Sequence, residues 1–186
     1  MKLSATELKD VWVIEPVKHG DDRGFFSEVY REDILSEHGI NVKFVQDNHA
    51  YSKDVGVLRG LHFQKAPYAQ DKLVRVTKGA IYDVVVDLRK GSPTYAKWIG
   101  VEISAENWKQ ILVPKGFAHG YVTLMPDTEV EYKVSGYYNP ESDSGLLWND
   151  TDLAIDWQIE DLDPILSDKD KAQPTFAETD SNFLYE

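Results

Sequence analysis

An imidazole, a guanidinium and an amine lie close together in Gly56-Val57-Leu58-Arg59-Gly60-Leu61-His62-Phe63-Gln64 and, eight residues on, Lys72. A histidine with cations beside it suits proton abstraction next to a carbonyl. The imidazole takes the proton and a cation holds the developing oxyanion. A third part lies at residues 129–135, where strict alternation puts Tyr132 on the apolar face with Val130 and Val134. An inward phenol can return a proton. In an unbroken strand Arg59 and His62 would face opposite ways. Gly60, between them, is a natural bulge site, and a bulge shifts the alternation by one residue so that both side chains enter one cavity.

The elements that must hold these groups read as many short strands, at 11–14, 24–30, 42–51, 57–63, 73–78, 80–88, 95–103, 110–113, 120–124, 128–135 and 145–147. Turn chemistry separates them: Asp21-Asp22-Arg23-Gly24, Lys78-Gly79, Arg89-Lys90-Gly91-Ser92-Pro93, Pro114-Lys115-Gly116 and Met125-Pro126-Asp127. Strands this short and regularly spaced predict a β-sandwich or barrel. The run 81–88 is too apolar for a one-sided surface strand and belongs in the middle of a sheet. Helix is scarce: residues 31–38 before Gly39 predict a short one, and 104–108 a single turn. The polar tail 161–186, punctuated by Pro164 and Pro174, predicts short helices or coil packed over the barrel as an appendage to one domain spanning 1–186.

The chain has 186 residues, 42% of them hydrophobic, with five tryptophans, which suits one folded domain with a sizeable core. Zero cysteines remove disulfides, thiolate nucleophiles and cysteine-ligated metals. No run of eighteen apolar residues occurs and the first residues carry no apolar signal segment, so the expectation is a cytoplasmic protein without membrane contact. The net charge of −12 with no basic stripe argues against nucleic acid as a partner. An anionic ligand would have to be drawn in by a local cluster, for which Arg23, Arg59, Lys72 and Lys169 are the candidates. Each of the four, taken singly, also reads as an ordinary surface cation.

Several segments in order carry a resemblance: Asp22-Arg23-Gly24-Phe25-Phe26-Ser27-Glu28, Gln46-Asp47-Asn48-His49, Leu58-Arg59-Gly60-Leu61-His62, Lys72-Leu73-Val74, Gly116-Phe117-Ala118-His119-Gly120, Tyr132-Lys133, Tyr137-Tyr138-Asn139-Pro140 and Ser167-Asp168-Lys169-Asp170. Through them the chain resembles the dTDP-4-dehydrorhamnose 3,5-epimerase family, from about Val11 to Asp170. The resemblance implies an all-β, cupin-like jelly-roll barrel or sandwich with a few short helices, mainly C-terminal, working as a homodimer. It implies a dTDP-linked 4-keto-6-deoxyhexose as substrate, inverted at C3 and C5. Both carbons flank the C4 ketone, so no metal and no redox cofactor is called for.

By resemblance His62 is the base, Lys72 the cation on the enolate with Arg59 nearby, and Tyr132 the acid on the opposite face. Asp170 orients the histidine, with Asp168 the alternative should the register of the tail differ. Substrate contacts carry over to Arg23, Glu28, Gln46, Asn48, Arg59, His119 and Lys169, with Phe26 and Tyr138 packing on thymine or sugar. In the family the N-terminal strands cross to the partner subunit, which would put Arg23, Phe26 and Glu28 in the other protomer's site. The family pattern has glutamate where this chain has Asp143, a ligand contact one methylene shorter.

Structural readings stand beside these. A single strand histidine is commonly a hydrogen-bonding group, and an inward tyrosine is commonly core. His19 and His38 read as surface, His49 as core or behind the site, and His119 as a ligand contact rather than a catalyst. A metal-dependent cupin would need clustered histidines, commonly two separated by one residue, and position 60 is glycine. An epimerase of C3 alone, an isomerase serving another deoxysugar, or a non-catalytic sugar-nucleotide-binding cupin would share the fold.

Overall fold

The computed structural model describes residues 1–159 and 162–185. Asp161 and Glu186, the first and last residues of the expected tail, lie outside the described residues. Among the described residues, thirteen strands and two short helices follow in order: β1 (Lys2–Ala5), β2 (Trp12–Glu15), β3 (His19–Asp21), β4 (Gly24–Phe26), α1 (Glu32–Glu37), β5 (Gln46–Ser52), β6 (Leu58–Gln64), β7 (Lys72–Lys78), β8 (Ala80–Asp87), β9 (Trp98–Ser104), β10 (Gln110–Val113), β11 (Phe117–Thr123), β12 (Thr128–Val134), β13 (Asp143–Gly145) and α2 (Asp168–Lys171). A six-stranded sheet runs β1-β2-β10-β7-β12-β5 and a five-stranded sheet runs β13-β6-β11-β8-β9, while β3 and β4 form a separate hairpin. The two larger sheets face each other in a cupin-like sandwich.

Alternation decides what lies between the sheets. Val74, Val76, Ile111, Val113 and Val130 from one sheet and Ile81, Val85, Ile103, Phe117 and Tyr121 from the other form a single core cluster. The five-stranded sheet is also covered on its outer face. Leu61, Phe63, Val84, Val86, Ala118 and Val122 pack there against Leu146, Leu153, Trp157 and Phe183 of the C-terminal segment. Burial on both faces explains why β8 is apolar on both sides, Asp83 and Asp87 excepted, and lies between β11 and β9. On the six-stranded sheet α1 covers the outer face with Leu35, against Ile14, Leu73 and Leu112.

Several boundaries differ from the sequence-based expectation. The strand expected over 24–30 stops at Phe26, and the residues after it bond sideways: Trp108 Nε1 donates to Ser27 Oγ at 3.1 Å and Gln110 Nε2 to Val29 O at 2.9 Å. The strand expected over 42–51 begins only at Gln46, because Phe44 turns to pack on Tyr30 in the third cluster. Strands β1 and β3 were not foreseen, being short, polar and paired with one neighbour each. The helices are not mainly C-terminal: the longer, α1, lies in the first quarter of the chain, and the tail is mostly coil. That coil is held by side chains such as Trp157 and Phe183, buried on the sheet, so it needs no helical pattern of its own.

Register reveals a bulge at the centre of β6. His119 on β11 pairs with His62, and Tyr121, two residues on, pairs with Arg59, three residues back. The extra residue brings Arg59 and His62 onto the same face. Gly60 has φ +130°, and a Cβ on it would stand 2.5 Å from Gly120 Cα and 2.9 Å from His119 O. Neither that φ nor that approach admits a side chain. Gly60→Ala is expected to destabilise the fold by roughly 1–3 kcal/mol, read as a lower urea midpoint; an unchanged midpoint would show that the bulge tolerates a side chain.

Candidate active site

Two strand rows on the five-stranded sheet point into the slot between the sheets. One is Arg59 (β6), Tyr121 (β11) and Asp83 (β8); the next is His62 (β6), His119 (β11) and Val85 (β8). Opposite them, the six-stranded sheet presents Asn48 (β5), Tyr132 (β12) and Val74 (β7), then Gln46, Val134 and Lys72. His62 therefore stands on one wall, and Lys72 and Tyr132 on the other. The slot holds two adjoining lobes that share these three residues. One, of about 440 Å³, is lined by Arg59, His119, Tyr121, Leu166 and Asp170. The other, of about 300 Å³, is lined by Gln46, Asn48, Gln64, Tyr138, Asp143 and Lys169.

The tail brings Asp170 to the site. Ile165 bonds in parallel along the start of β6, its O accepting from Leu58 N at 3.0 Å and its N donating to Gly56 O at 2.8 Å. Ser167 then caps α2, and its Oγ donates to Asp170 Oδ2 at 2.7 Å. Asp170 Oδ1 lies 2.5 Å from His62 Nε2. Burial pushes the Asp170 carboxyl up, but hydrogen bonds from His62, Ser167 and the Gly60 backbone outweigh it and hold the group below its ordinary value. A carboxylate on Nε2 leaves Nδ1 as the acceptor nitrogen, the form a base requires. Of the two aspartates the sequence left open, Asp170 reaches the histidine, while Asp168 is exposed and pairs at 3.6 Å with Lys171.

Lys72 has no hydrogen-bond or ion-pair partner among the described residues. Burial pushes its ammonium down to about 8, opposed by the charges of Asp83 and Asp143 and reinforced by Lys169. Burial raises Tyr132, with Arg59 opposing, so the phenol keeps its proton at neutral pH. Arg59 donates to Tyr51 O at 3.1 Å and has no carboxylate partner among the described residues, which leaves its charge for a ligand.

In the second lobe, Asp143 accepts from Tyr138 Oη at 3.0 Å and pairs with the Lys169 ammonium. His119 is buried in the wall, its Nε2 2.8 Å from Asp83 Oδ2. His49 is neither core nor behind the site: alternation along β5 turns it to the outer face, where it pairs with Glu129 at 3.0 Å. His19 and His38 are exposed.

Arg23, Phe26 and Glu28 are not brought to this slot. Arg23 and Phe26 lie on the β3–β4 hairpin, where Arg23 pairs with Asp21 and Phe26 is 67% exposed. Glu28 pairs with Arg31 at 3.1 Å. Strands β1 and β2 belong to the chain's own six-stranded sheet, so of the N-terminal strands only the hairpin is unpaired with the body. A separate hollow of about 320 Å³ opens on the outer side of the six-stranded sheet. Its cations are taken, Arg75 by Glu131 at 2.9 Å and Lys133 by Asp47 at 2.7 Å.

Sequence reasoning missed Tyr121, Ser167 and Asp83. Tyr121 shares a face with His119 by simple alternation, and Ser167 precedes Asp170 by the three residues of a helix cap. Asp83 stood out as a charge inside an apolar run. Among the described residues no three His, Asp or Glu side chains gather as a metal-ion site, and no helix is long and apolar enough to cross a membrane.

The profile of a family described as dTDP-4-dehydrorhamnose 3,5-epimerase matches residues 5–178. The dTDP-4-dehydrorhamnose 3,5-epimerase of Escherichia coli is 52% identical over 92% of this chain and 92% of its own length. The crystal structure of dTDP-4-dehydrorhamnose 3,5-epimerase from Bacillus anthracis with TDP and PPi bound is 55% identical, with a TM-score of 0.90 over 94% of this chain and 98% of that one. That of dTDP-6-deoxy-D-glucose-3,5-epimerase from Legionella pneumophila in complex with dTDP-4-keto-L-rhamnose is 41% identical, with a TM-score of 0.94 over 100% and 98%. On this match in sequence and fold, the chain belongs to the dTDP-4-dehydrorhamnose 3,5-epimerase family of isomerases.

Proposed function

We propose that the chain converts dTDP-4-keto-6-deoxy-D-glucose to dTDP-4-keto-L-rhamnose, with His62 as base, Lys72 on the enolate oxygen and Tyr132 as acid. Abstraction of a proton from C3 or C5 sends the electron pair to the C4 oxygen. An ammonium freed of other partners neutralises that oxygen best. Inversion then needs a proton from the other face of the ring. The observation that carries the reading is that His62 and Tyr132 project from facing sheets, so a sugar between them meets base and acid on opposite sides. Asp170 holds His62 in its basic tautomer. Gln46, Asn48, Arg59, His119 and Lys169 hold the nucleotide, Tyr138 packs on thymine or sugar, and Asp143 is a further ligand contact.

The protein works as a homodimer that exchanges the β3–β4 hairpin, giving Arg23, Phe26 and Glu28 to the partner's site. The unpaired hairpin and its exposed aromatic side chain support this. Its nucleotide-sugar substrate would meet it in the cytoplasm.

His62→Ala is expected to lower kcat by about 10²–10⁴. Tyr132→Phe is expected to slow completed inversion more than exchange. Proton NMR of the substrate in D₂O reads both: loss of the C3 and C5 signals is expected, exchange at C3 alone would indicate a single-centre epimerase, and none would reject catalysis. Deprotonation of Lys72 removes the positive charge that neutralises the enolate oxygen, so kcat is expected to fall as pH rises through about 8. Lys72→Arg, which stays cationic, should lose that limb; a limb unchanged in Lys72→Arg belongs to another group.

Hairpin exchange is testable by co-refolding Arg23→Ala with His62→Ala. Each heterodimer would regain one intact site, restoring about a quarter of wild-type activity in a random mixture. No recovery would mean that Arg23 serves its own protomer.

A further inference from the structure

Asp83 is a charge that the fold itself does not use fully. It is 0% exposed, and only one of its oxygens is engaged, by His119 Nε2 at 2.8 Å. Its Oδ1 is buried with no hydrogen-bond partner. An asparagine carbonyl would hold His119 equally well, so the charge has no structural task. A buried charged oxygen left without a partner is costly. On β8 the residue faces inward, in one row with Tyr121 and Arg59 and diagonal to His119, so its charge lies within the wall of the same slot.

We propose that Asp83 is a positioning residue for this reaction, whose buried carboxylate fixes the His119 imidazole in the wall and supplies the counter-charge that keeps Lys72 an ammonium. The proposal rests on the reading of Lys72 as the enolate's partner. The groups facing Lys72 single Asp83 out. They are Asp83 on β8, Asp143 on β13 and Lys169 and Asp170 on α2, with Arg59 and His62 on β6, His119 and Tyr121 on β11 and Tyr132 on β12. Asp143 already serves the Tyr138 hydroxyl and the Lys169 ammonium. Lys169 itself opposes a charge on Lys72, and burial opposes it more. Asp83 is the carboxylate whose unshared oxygen is buried, and its pull on Lys72 exceeds that of Asp143, while both oxygens of Asp170 are taken by His62 and Ser167.

The arrangement solves a conflict of the site. An oxyanion partner must be dry to act strongly, yet dryness removes its proton. A second carboxylate, placed behind the wall where it touches no substrate, restores the charge without entering the slot.

The test is ¹³C NMR titration of protein labelled at lysine Cε, with the Lys72 signal assigned from Lys72→Met, in wild type and in Asp83→Asn. The Lys72 midpoint is expected near 8 in wild type and lower by about one unit or more in Asp83→Asn. The alkaline limb of kcat should move with it while KM stays unchanged, and Asp83→Glu should restore the midpoint. An unmoved midpoint in folded Asp83→Asn overturns the proposal. A midpoint that moves without the kcat limb leaves the coupling standing and rejects the role given to Lys72. Should Asp83→Asn fail to fold, ¹⁵N correlation spectra of wild-type His119 decide: a proton on Nε2 is expected, and a proton on Nδ1 alone overturns the assignment.

Discussion

The close approach of two backbones at Gly60 and Gly120 is the constraint on which the site depends. A Cβ on Gly120 would lie 2.9 Å from Arg59 O, just as one on Gly60 would strike Gly120 Cα. With no side chain on either, β6 can hold one residue more than β11 between paired rows. That single residue decides on which side of the sheet Arg59 points. It also aims the Gly60 amide at Asp170, so the bulge and the carboxylate behind His62 are one arrangement.

The charge distribution follows a similar economy of position. The field of a chain of net charge −12 opposes the anionic nucleotide sugar proposed as its substrate. Several cations on the body are tied up by carboxylates, as Arg75 and Lys133 are, or serve as structural clamps. Arg89, for instance, is bonded to Asp87 and Asp10. Within the slot, Arg59 and Lys72 lack carboxylate partners among the described residues. Local attraction comes from leaving a few charges unpaired.

Two histidines face the slot, and each has a carboxylate behind it: Asp170 for His62, Asp83 for His119. The two carboxylates come from very different places. Asp83 belongs to a central strand, whereas Asp170 lies at the end of a coil held down by Trp157 and Phe183 against the sheet. The outer-face core therefore bears on the slot, because loosening it would withdraw the carboxylate bonded to His62.

The sequence by itself determined the strand-rich class, the inward face of Tyr132, the bulge at Gly60 and the family, because alternation, turn residues and ordered motifs are local properties. The family register favoured Asp170 as the partner of His62 but left Asp168 open; the tertiary structure decided between them, by a contact across more than a hundred residues. Only the tertiary structure decided that His49 faces outward, that the strand after Gly24 ends early, and that the tail is coil. Each depends on which neighbour takes a backbone or aromatic group. Asp83 and Tyr121 were visible as residues but not as members of the site, since burial of a polar atom without a partner arises only when three strands are laid side by side.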